Sequence, residues 1–595
     1  MSFFRRPLVV RADRLSAIGA FLVVLAVFGL TFVGTAELND AEVEFQSTSA
    51  FARAGSLALQ GTPEADRIEA DLLRDPDLAS DLHVRVVEAR ADAGAADRAP
   101  RSPRIYGRHG VGQVLVALPF YAAGRLWGAL APGLEEQAVR LAYDGVEASE
   151  PLAHLVVGLR NPLLGAGTIW LVAMCALRLG VRRRRAIGAA LALAGSTFLW
   201  PQARSSLSDV QATFFLLLAL HLVLVARERL DRLEMPPGRI AFGIGAALAM
   251  AFLSRIAVAP ACALIAAVGE SVLRFGARRI AASRWTPRGG SGVTPQRALL
   301  LALAPIAVGC AVFVGTNLAR YGKPFDSGYG SIFDGTLFQG VAADGLKGLL
   351  LSPSRGLVWF APLVLLAPIG IARALAERER LLTFCLFGVT ALVALPAAAT
   401  VDWHGASTYG PRYLLPCLPF LWLFVALALE EASRRPWIGR AALALFVPGF
   451  VVALGGVVVD HRTHDDLARR AAEIEWPDAP SLGLPITASL EDIRRERYNR
   501  TLWDVRFAAP LAHWRIFRHR VAGLGEAFPV DELYHVAGAA VLSPRSERHR
   551  EFHHFGWREF VRRFDGPGTV PIGAAVLLVL FGVIALVRGL DRTAQ

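Results

Sequence analysis

Residue types that handle protons and anions crowd into TVDWHGASTYGPRYLLPCLPF, residues 400–420: the carboxylate of Asp402, the imidazole of His404, the guanidinium of Arg412 and the phenols of Tyr409 and Tyr413. A carboxylate can take the proton of an attacking hydroxyl, and a guanidinium can hold an oxyanion through two parallel hydrogen bonds. Gly410-Pro411 directly ahead of Arg412 is a helix-start signal, which places the cation where free backbone N–H groups already favour an anion. The same combination recurs in SPSRG, residues 352–356, with Arg355. Further acids stand in TAELNDAEVEF, residues 35–45: Glu37, Asp40, Glu42 and Glu44, just beyond the first apolar run. Lys323, in NLARYGKPFDSGYG, and Arg108, in YGRHG, are additional cations, and for Lys323 a loop salt bridge with Asp326 is an equally good reading.

These residues are set in a chain of 595 residues that is 54% hydrophobic and 19% charged, with a mean hydropathy of +0.42. That composition describes an all-α polytopic membrane protein. The formal charge of +12 is accounted for by arginines flanking apolar spans, so no nucleic-acid partner is implied. The five cysteines lie in or beside apolar runs with no CxxC spacing, which implies neither disulfides nor zinc.

About twelve candidate transmembrane helices lie near residues 15–34, 162–180, 186–201, 209–226, 239–254, 257–273, 299–316, 356–372, 382–399, 411–429, 437–458 and 567–588. The first follows Arg5, Arg6, Arg11 and Arg14 and reads as a retained anchor with its N-terminus in the cytoplasm. From there, every second loop is basic: RRRR at 182–185, RERLDR at 227–232, RFGARRIAASR at 274–284, RALAERER at 373–380 and RRPWIGR at 434–440. The expected layout is a membrane core, 1–458, with a first outer loop, 36–150; an outer segment, 459–566; and a final span with its tail, 567–595. The stretch 106–133 is expected to form an interfacial helix within the first loop.

On this topology the spans that descend from the outer side begin at Arg160-Asn161-Pro162, at RSSLSD (204–209), at Ser254-Arg255, at 352–356 and at 409–413. Arginines at outward-pointing helix N-termini would form an electropositive rim at headgroup depth, with Asp40 and Glu42 on a short tether above it. Tyr413, with Trp403 and Tyr409, can stack on a sugar or sit in the aromatic belt.

In this order the pieces resemble the C-type superfamily of membrane glycosyltransferases (GT-C), within it the protein-mannosyltransferase and aminoarabinose-transferase type. The resemblance covers about residues 15–430 and rests on the acidic start of the first loop, LPFYAAGRLWG, RSSLSD, Arg255, LLLSPSRGLVWFAPL and YGPRYLLPCLP. It implies a polyprenyl-phosphate-sugar donor, an envelope glycan, lipid or protein acceptor, and an active site facing the periplasm or exterior of a cytoplasmic membrane. By resemblance the general base, or a ligand of a divalent cation near the acceptor, is Asp40 with Glu42 as its alternate. The run Asp-Ala-Glu-Val-Glu-Phe departs from the family's usual pattern and leaves the metal open. The departing phosphate falls to Arg412, Arg355, Lys323 and Arg108, with Asp402, His404 and Tyr413 around it.

The rival class is a transporter or flippase of lipid-linked glycans, and a catalytically inert scaffold is a third. A transporter should carry mid-membrane charges and inverted repeats; here ionisable residues gather at span ends, with His221 as an isolated exception. The outer segment contains DHRTHDD, residues 460–466, and the pair His553-His554, for which solvated histidines are expected rather than a zinc site.

Overall fold

The structure, a computed structural model, describes residues 10–33, 39–59, 84–87, 104–140, 150–282, 294–326, 338–377, 379–525, 527–537, 540–544 and 569–591, and the single positions 66, 72 and 328. After α1 (Arg11–Thr31) the first loop holds α2 (Asn39–Ala54), β1 (Val84–Val87), β2 (Arg104–Gly107), α3 (Val111–Leu130), α4 (Pro132–Arg140) and α5 (Pro151–Gly158). β1 and β2 pair antiparallel, Val84 opposite Gly107 and Val87 opposite Arg104. The core continues with α6 (Arg160–Arg178), α7 (Arg183–Gly195), α8 (Leu199–Ala203), α9 (Ser208–Asp231), α10 (Gly238–Ser254), α11 (Ala259–Ala282) and α12 (Pro295–Tyr321). It is completed by α13 (Ala342–Leu351), α14 (Leu357–Phe360), α15 (Ala367–Ala376), α16 (Arg380–Ala398), α17 (Leu418–Glu431) and α18 (Pro436–Val458). The last segment contributes α19 (His461–Glu475), α20 (Leu490–Trp503), α21 (Ala509–Val521), β3 (Phe528–Pro529), α22 (Val530–Tyr534), β4 (Val541–Leu542) and α23 (Thr569–Asp591).

The chain is an all-α polytopic membrane protein. Nine helices among the described residues are long and apolar enough to cross a membrane, and two shorter apolar helices, Gly238–Ser254 and Pro362–Ala376, fill expected span positions. α7 occupies the remaining one with 13 residues. The central helices are apolar on all sides: 83% of the apolar window of Arg412–Glu431 is buried, against 11% for Gln296–Tyr321. Trp422 of α17 is fully buried, and its indole N–H donates to the Ala189 carbonyl at 2.7 Å. Peripheral helices instead turn Leu300, Val308, Phe387, Leu443 and Phe581 outward, which lipid tolerates as water would not.

Two details depart from the sequence reading. The second span does not begin at Arg160, because α5 and α6 form one helical run, Pro151–Arg178, of 28 residues. Leu159 between them keeps helical angles, and Pro162 is accommodated in the first turn of α6, so no free N-terminus exists there. The eighth span is broken: a 3₁₀ turn, Pro362–Leu366, separates α14 from α15, since Pro362 cannot donate an interior helical hydrogen bond.

Contacts at the helix ends sort them into two faces. On one, Arg183 donates to Asp13 and to the Gly589 carbonyl, Arg182 meets Glu430 at 2.6 Å, Arg227 makes paired bonds to Glu379 at 2.8 and 2.9 Å, and Arg373 meets Glu431 at 2.6 Å. On the other, Gln202 donates to the Tyr409 carbonyl at 2.5 Å and Arg204 to that of Thr31 at 2.5 Å. Helix ends expected on one side of the membrane thus do share one face. The described part of the 459–566 segment has its own apolar core, including Leu467, Phe507, Ile516, Phe528 and Tyr534, and lies over the Tyr409 face.

Single cysteines replacing Arg184 and Ser481 in a cysteine-free background should be labelled by a membrane-impermeant maleimide from opposite sides of sealed vesicles. Labelling of both from one side would refute the alternation.

Candidate functional site

A buried polar belt joins the first loop to the turn at Arg412. α2 is polar along most of its length, yet Glu44, Gln46, Ser47, Thr48 and Ser49 are buried. Ser47 and Thr48 return their hydroxyls to the carbonyls one turn earlier, both at 2.8 Å, which satisfies them within the helix. Glu44 cannot do this and pairs with the fully buried Arg160, whose Nη1 donates to its Oε1. The same guanidinium reaches the Ser206 carbonyl at 3.4 Å and, with the Gln211 amide oriented to accept, Gln211 Oε1 at 3.1 and 3.2 Å. Asn161 adds bonds to the carbonyls of Ser205 and Leu207 at 2.5 and 2.9 Å. The turn that starts α9 is therefore clamped to α6, and α6 to α2.

The belt continues through Asp209, in the first turn of α9, which meets Arg255 at 2.6 Å. Arg255 lies at the break after α10, with extended backbone (φ −153°, ψ 107°), and its guanidinium stacks 4.9 Å from the centre of the Tyr413 ring. Arg412 stacks on Tyr413 as well, at 5.1 Å. A phenol contacted by two guanidinium groups keeps both cations at defined places beside one another, at about 0.5–2 kcal/mol per contact.

Of the expected catalytic acids, Glu42 is the one whose side chain can be described. Its Oε1 accepts from Gln46 at 2.8 Å and lies 3.8 Å from His154 Nε2, and the side chain is 30% exposed. Asp40 is the second residue of α2, and its side chain lies outside the described residues. Glu44, held by Arg160, is not available as a base.

The loop from Thr400 to Pro411 is shaped by left-handed residues, Gly405 (φ 77°), Ala406 (φ 55°) and Gly410 (φ 72°). A Cβ at Gly410 would come within 3.0 Å of the Phe360 ring and 3.1 Å of Phe198, so only glycine fits. Arg355 does not meet the expectation of a phosphate ligand. It is 2% exposed and donates to the carbonyls of Thr408 and Ala406 (the latter at 2.8 Å), to the Tyr498 hydroxyl at 3.2 Å and to His461 Nε2 at 3.1 Å. Its charge is spent on backbone carbonyls of the loop. His404 accepts the Ala406 N–H at Nδ1, 3.2 Å away, so its remaining proton sits on Nε2, which stands 3.7 Å from Asp402 Oδ1. Burial, followed by the charges of Arg355, Arg469 and Arg412, pushes its pKa down to about 3. A neutral imidazole so bonded is a donor and not a base.

Asp402, Lys323 and Arg108 take other positions. Asp402 is exposed beside the loop. Lys323 is exposed, and the partner of Asp326 is Arg85 at 2.7 Å. Arg108 donates to the Val84 carbonyl at 2.9 Å and so braces β1. Arg412 and Tyr413 are thus the expected ligand residues that join the belt.

The histidines of DHRTHDD are not solvated. His461 and His464 are buried with His513, which no local pattern announces, since it lies 52 residues beyond His461. Ring centres lie 5.3–5.4 Å apart. Among the described residues no group of three or more His, Cys, Asp or Glu side chains could hold a metal ion. His553 and His554 lie outside the described residues. Ser354, Arg355, His461, Asp465, Arg469 and Tyr498 line a cavity of about 20 Å³, room for about one water and not for a sugar.

No protein-family model matches the chain, and no curated protein matches it. Among solved structures it is similar to ArnT from Cupriavidus metallidurans bound to undecaprenyl phosphate, at 13% identity over 97% of this chain and 77% of that one, with a TM-score of 0.39. It is similar to the oligosaccharyltransferase AglB from Archaeoglobus fulgidus in complex with an inhibitory peptide and a dolichol-phosphate, at 13% identity over 87% and 63%, TM-score 0.42. The Archaeoglobus fulgidus oligosaccharyltransferase in complex with Zn and sulfate gives 17% over 66% of this chain, TM-score 0.35, and this chain spans half its length. At such identities and scores the likeness assigns neither residues nor substrate.

Replacing Arg160 by Met should destabilise the protein by about 3–5 kcal/mol, because the Glu44 carboxylate stays buried without that guanidinium. The double variant E44Q/R160M should recover most of the loss, read from unfolding midpoints in mixed micelles.

Proposed function

We propose that this protein is an integral membrane glycosyltransferase that moves a sugar from a polyprenyl-phosphate donor to an envelope glycan, lipid or protein acceptor at the face carrying Tyr409. The reading places that face toward the periplasm or exterior of a cytoplasmic membrane. The observation that carries it is the belt from Glu44 through Arg160, Asp209 and Arg255 to Tyr413 and Arg412. It fastens the helix bearing Asp40 and Glu42 and the turn bearing Arg412 to the same end of the bundle. Motif order adds the resemblance to C-type glycosyltransferases, whose chemistry needs these two groups on one side.

In the proposed reaction a carboxylate of α2 accepts the acceptor hydroxyl's proton as that oxygen attacks the anomeric carbon and the phosphate–sugar bond breaks. Glu42, partly exposed and oriented by Gln46, has the geometry of such a base; Asp40, one helical position from Ala41 and two from Glu42, is the other candidate. Arg412 takes the charge growing on the departing phosphate, with Tyr413 and Arg255 fixing its place. Lys323, Arg108, Asp402 and His404 are assigned to the surroundings, His404 as a hydrogen-bond donor from Nε2. A divalent cation at the acidic start of α2 is a separate proposal, testable by chelation.

Sugar release from polyprenyl-phosphate sugars by protein in nanodiscs should fall 10²-fold or more in D40N or E42Q, whichever is the base, as general-base loss costs about 10²–10⁴-fold. R412A should fall comparably with kcat affected more than KM. Activity unchanged in all three variants would remove this assignment.

A further inference from the structure

Two of the three buried histidines, His461 and His513, have a fixed proton position, and it follows from their partners alone. A guanidinium N–H can only donate, so His461 Nε2, 3.1 Å from Arg355 Nη1, is an acceptor. The proton of neutral His461 therefore sits on Nδ1 and is donated to His513 Nε2 at 3.2 Å. His513 then carries its own proton on Nδ1, where the Gly455 carbonyl accepts it at 3.0 Å. The chain Arg355 → His461 → His513 → Gly455 is complete in one direction only. Its first member holds the loop by the carbonyls of Ala406 and Thr408.

We infer that Arg355, His461 and His513 are a positioning relay through which the segment beyond residue 459 latches the 405–409 loop, and that the latch holds only while both imidazoles are uncharged. A proton added to His461 Nε2 replaces the acceptor of Arg355 by a second cation. A proton added to His513 Nε2 removes the acceptor of His461. In either case the hydrogen bond reverses into a donor–donor contact beside a guanidinium.

The surrounding charges do not rescue the protonated forms. From the 352–356 turn, Arg355 faces the pair; from the turn after α8, Arg204 does. α19 and its N-cap contribute Asp460, His464, Asp465 and Arg469; α20 contributes Tyr498; the loop contributes His404 and Tyr409; α22 contributes Tyr534. Asp465 is engaged by Arg469 at 2.9 Å and by the Ser407 hydroxyl at 2.7 Å. Burial and then Arg355, His464, His513 and Arg469 hold His461 well below the usual histidine range. Burial lowers His513 to about 4, its bond to Gly455 and the nearby Asp460 opposing in part. An open loop returns each histidine toward its ordinary value of about 6.5. The open form binds the extra protons, so the latch is at full strength above about pH 6.5 and weakens as pH falls toward the depressed values. Each histidine raises the opening constant by up to about tenfold per pH unit in that window.

The latch concerns loop position and stands whether or not the glycosyl-transfer reading does. Hydrogen exchange of the full chain in nanodiscs, corrected for intrinsic rates, tests it through the amides of 404–410. Wild type should lose about tenfold or more of its protection there between pH 7.5 and 5.5, while α17 stays protected. His461→Gln, which can still accept from Arg355 and donate to His513, should halve the slope, and H461Q/H513Q should flatten it. D465N should keep the step. A flat wild-type profile, read without any variant, would overturn the latch. So would a step that survives in the double variant, that vanishes in D465N, or that α17 shares.

Discussion

The Glu44–Arg160 pair is the constraint on which the arrangement depends. Two opposite charges are withdrawn from water where the first loop meets the membrane core, and neither can be tolerated there without the other. Because Arg160 belongs to a helix continuous with α5, and because it also binds the turn before α9, the pair turns a polar loop helix into part of the bundle. The position of Glu42 relative to the 412 turn is inherited from that junction. A pair of this kind adds little net stability compared with apolar packing, but it admits one orientation of α2, since sliding the helix by a turn would strand both charges.

The spans were legible because lipid imposes length and apolarity on each segment separately, and the basic loops added a side to each. What sequence could not show was where an arginine spends its hydrogen bonds. Arg355 and Arg412 have the same credentials, a cation beside glycine and proline at a helix start. One faces backbone carbonyls of a loop that passes 50 residues later, and the other stacks on its neighbour Tyr413. Arg160 looked like a helix N-terminus because Pro162 follows, yet a proline in a first turn is compatible with helix on both sides when the preceding residues can bend.

The histidines of DHRTHDD were misjudged for a related reason. Their sequence neighbours are charged, which suggests solvent, but α19 is amphipathic and sets His461, His464 and Leu467 on the face turned to the segment's own core. Their partners Arg355, His513 and Tyr534 come from three other elements. No spacing rule links residues that meet only after the chain has folded back across the bundle.

The shortness of α7 leaves room for a break before the span is complete. Thirteen helical residues rise about 20 Å, against about 30 Å of hydrocarbon. The short helix α8 (Leu199–Ala203) adds the missing rise, so that Arg204 stands level with the end of the full-length α1, where it donates to the Thr31 carbonyl at 2.5 Å. The break falls at Ser196 and Thr197, both fully buried, so the chain turns inside the bundle beneath the bond from Gln202 to the Tyr409 carbonyl.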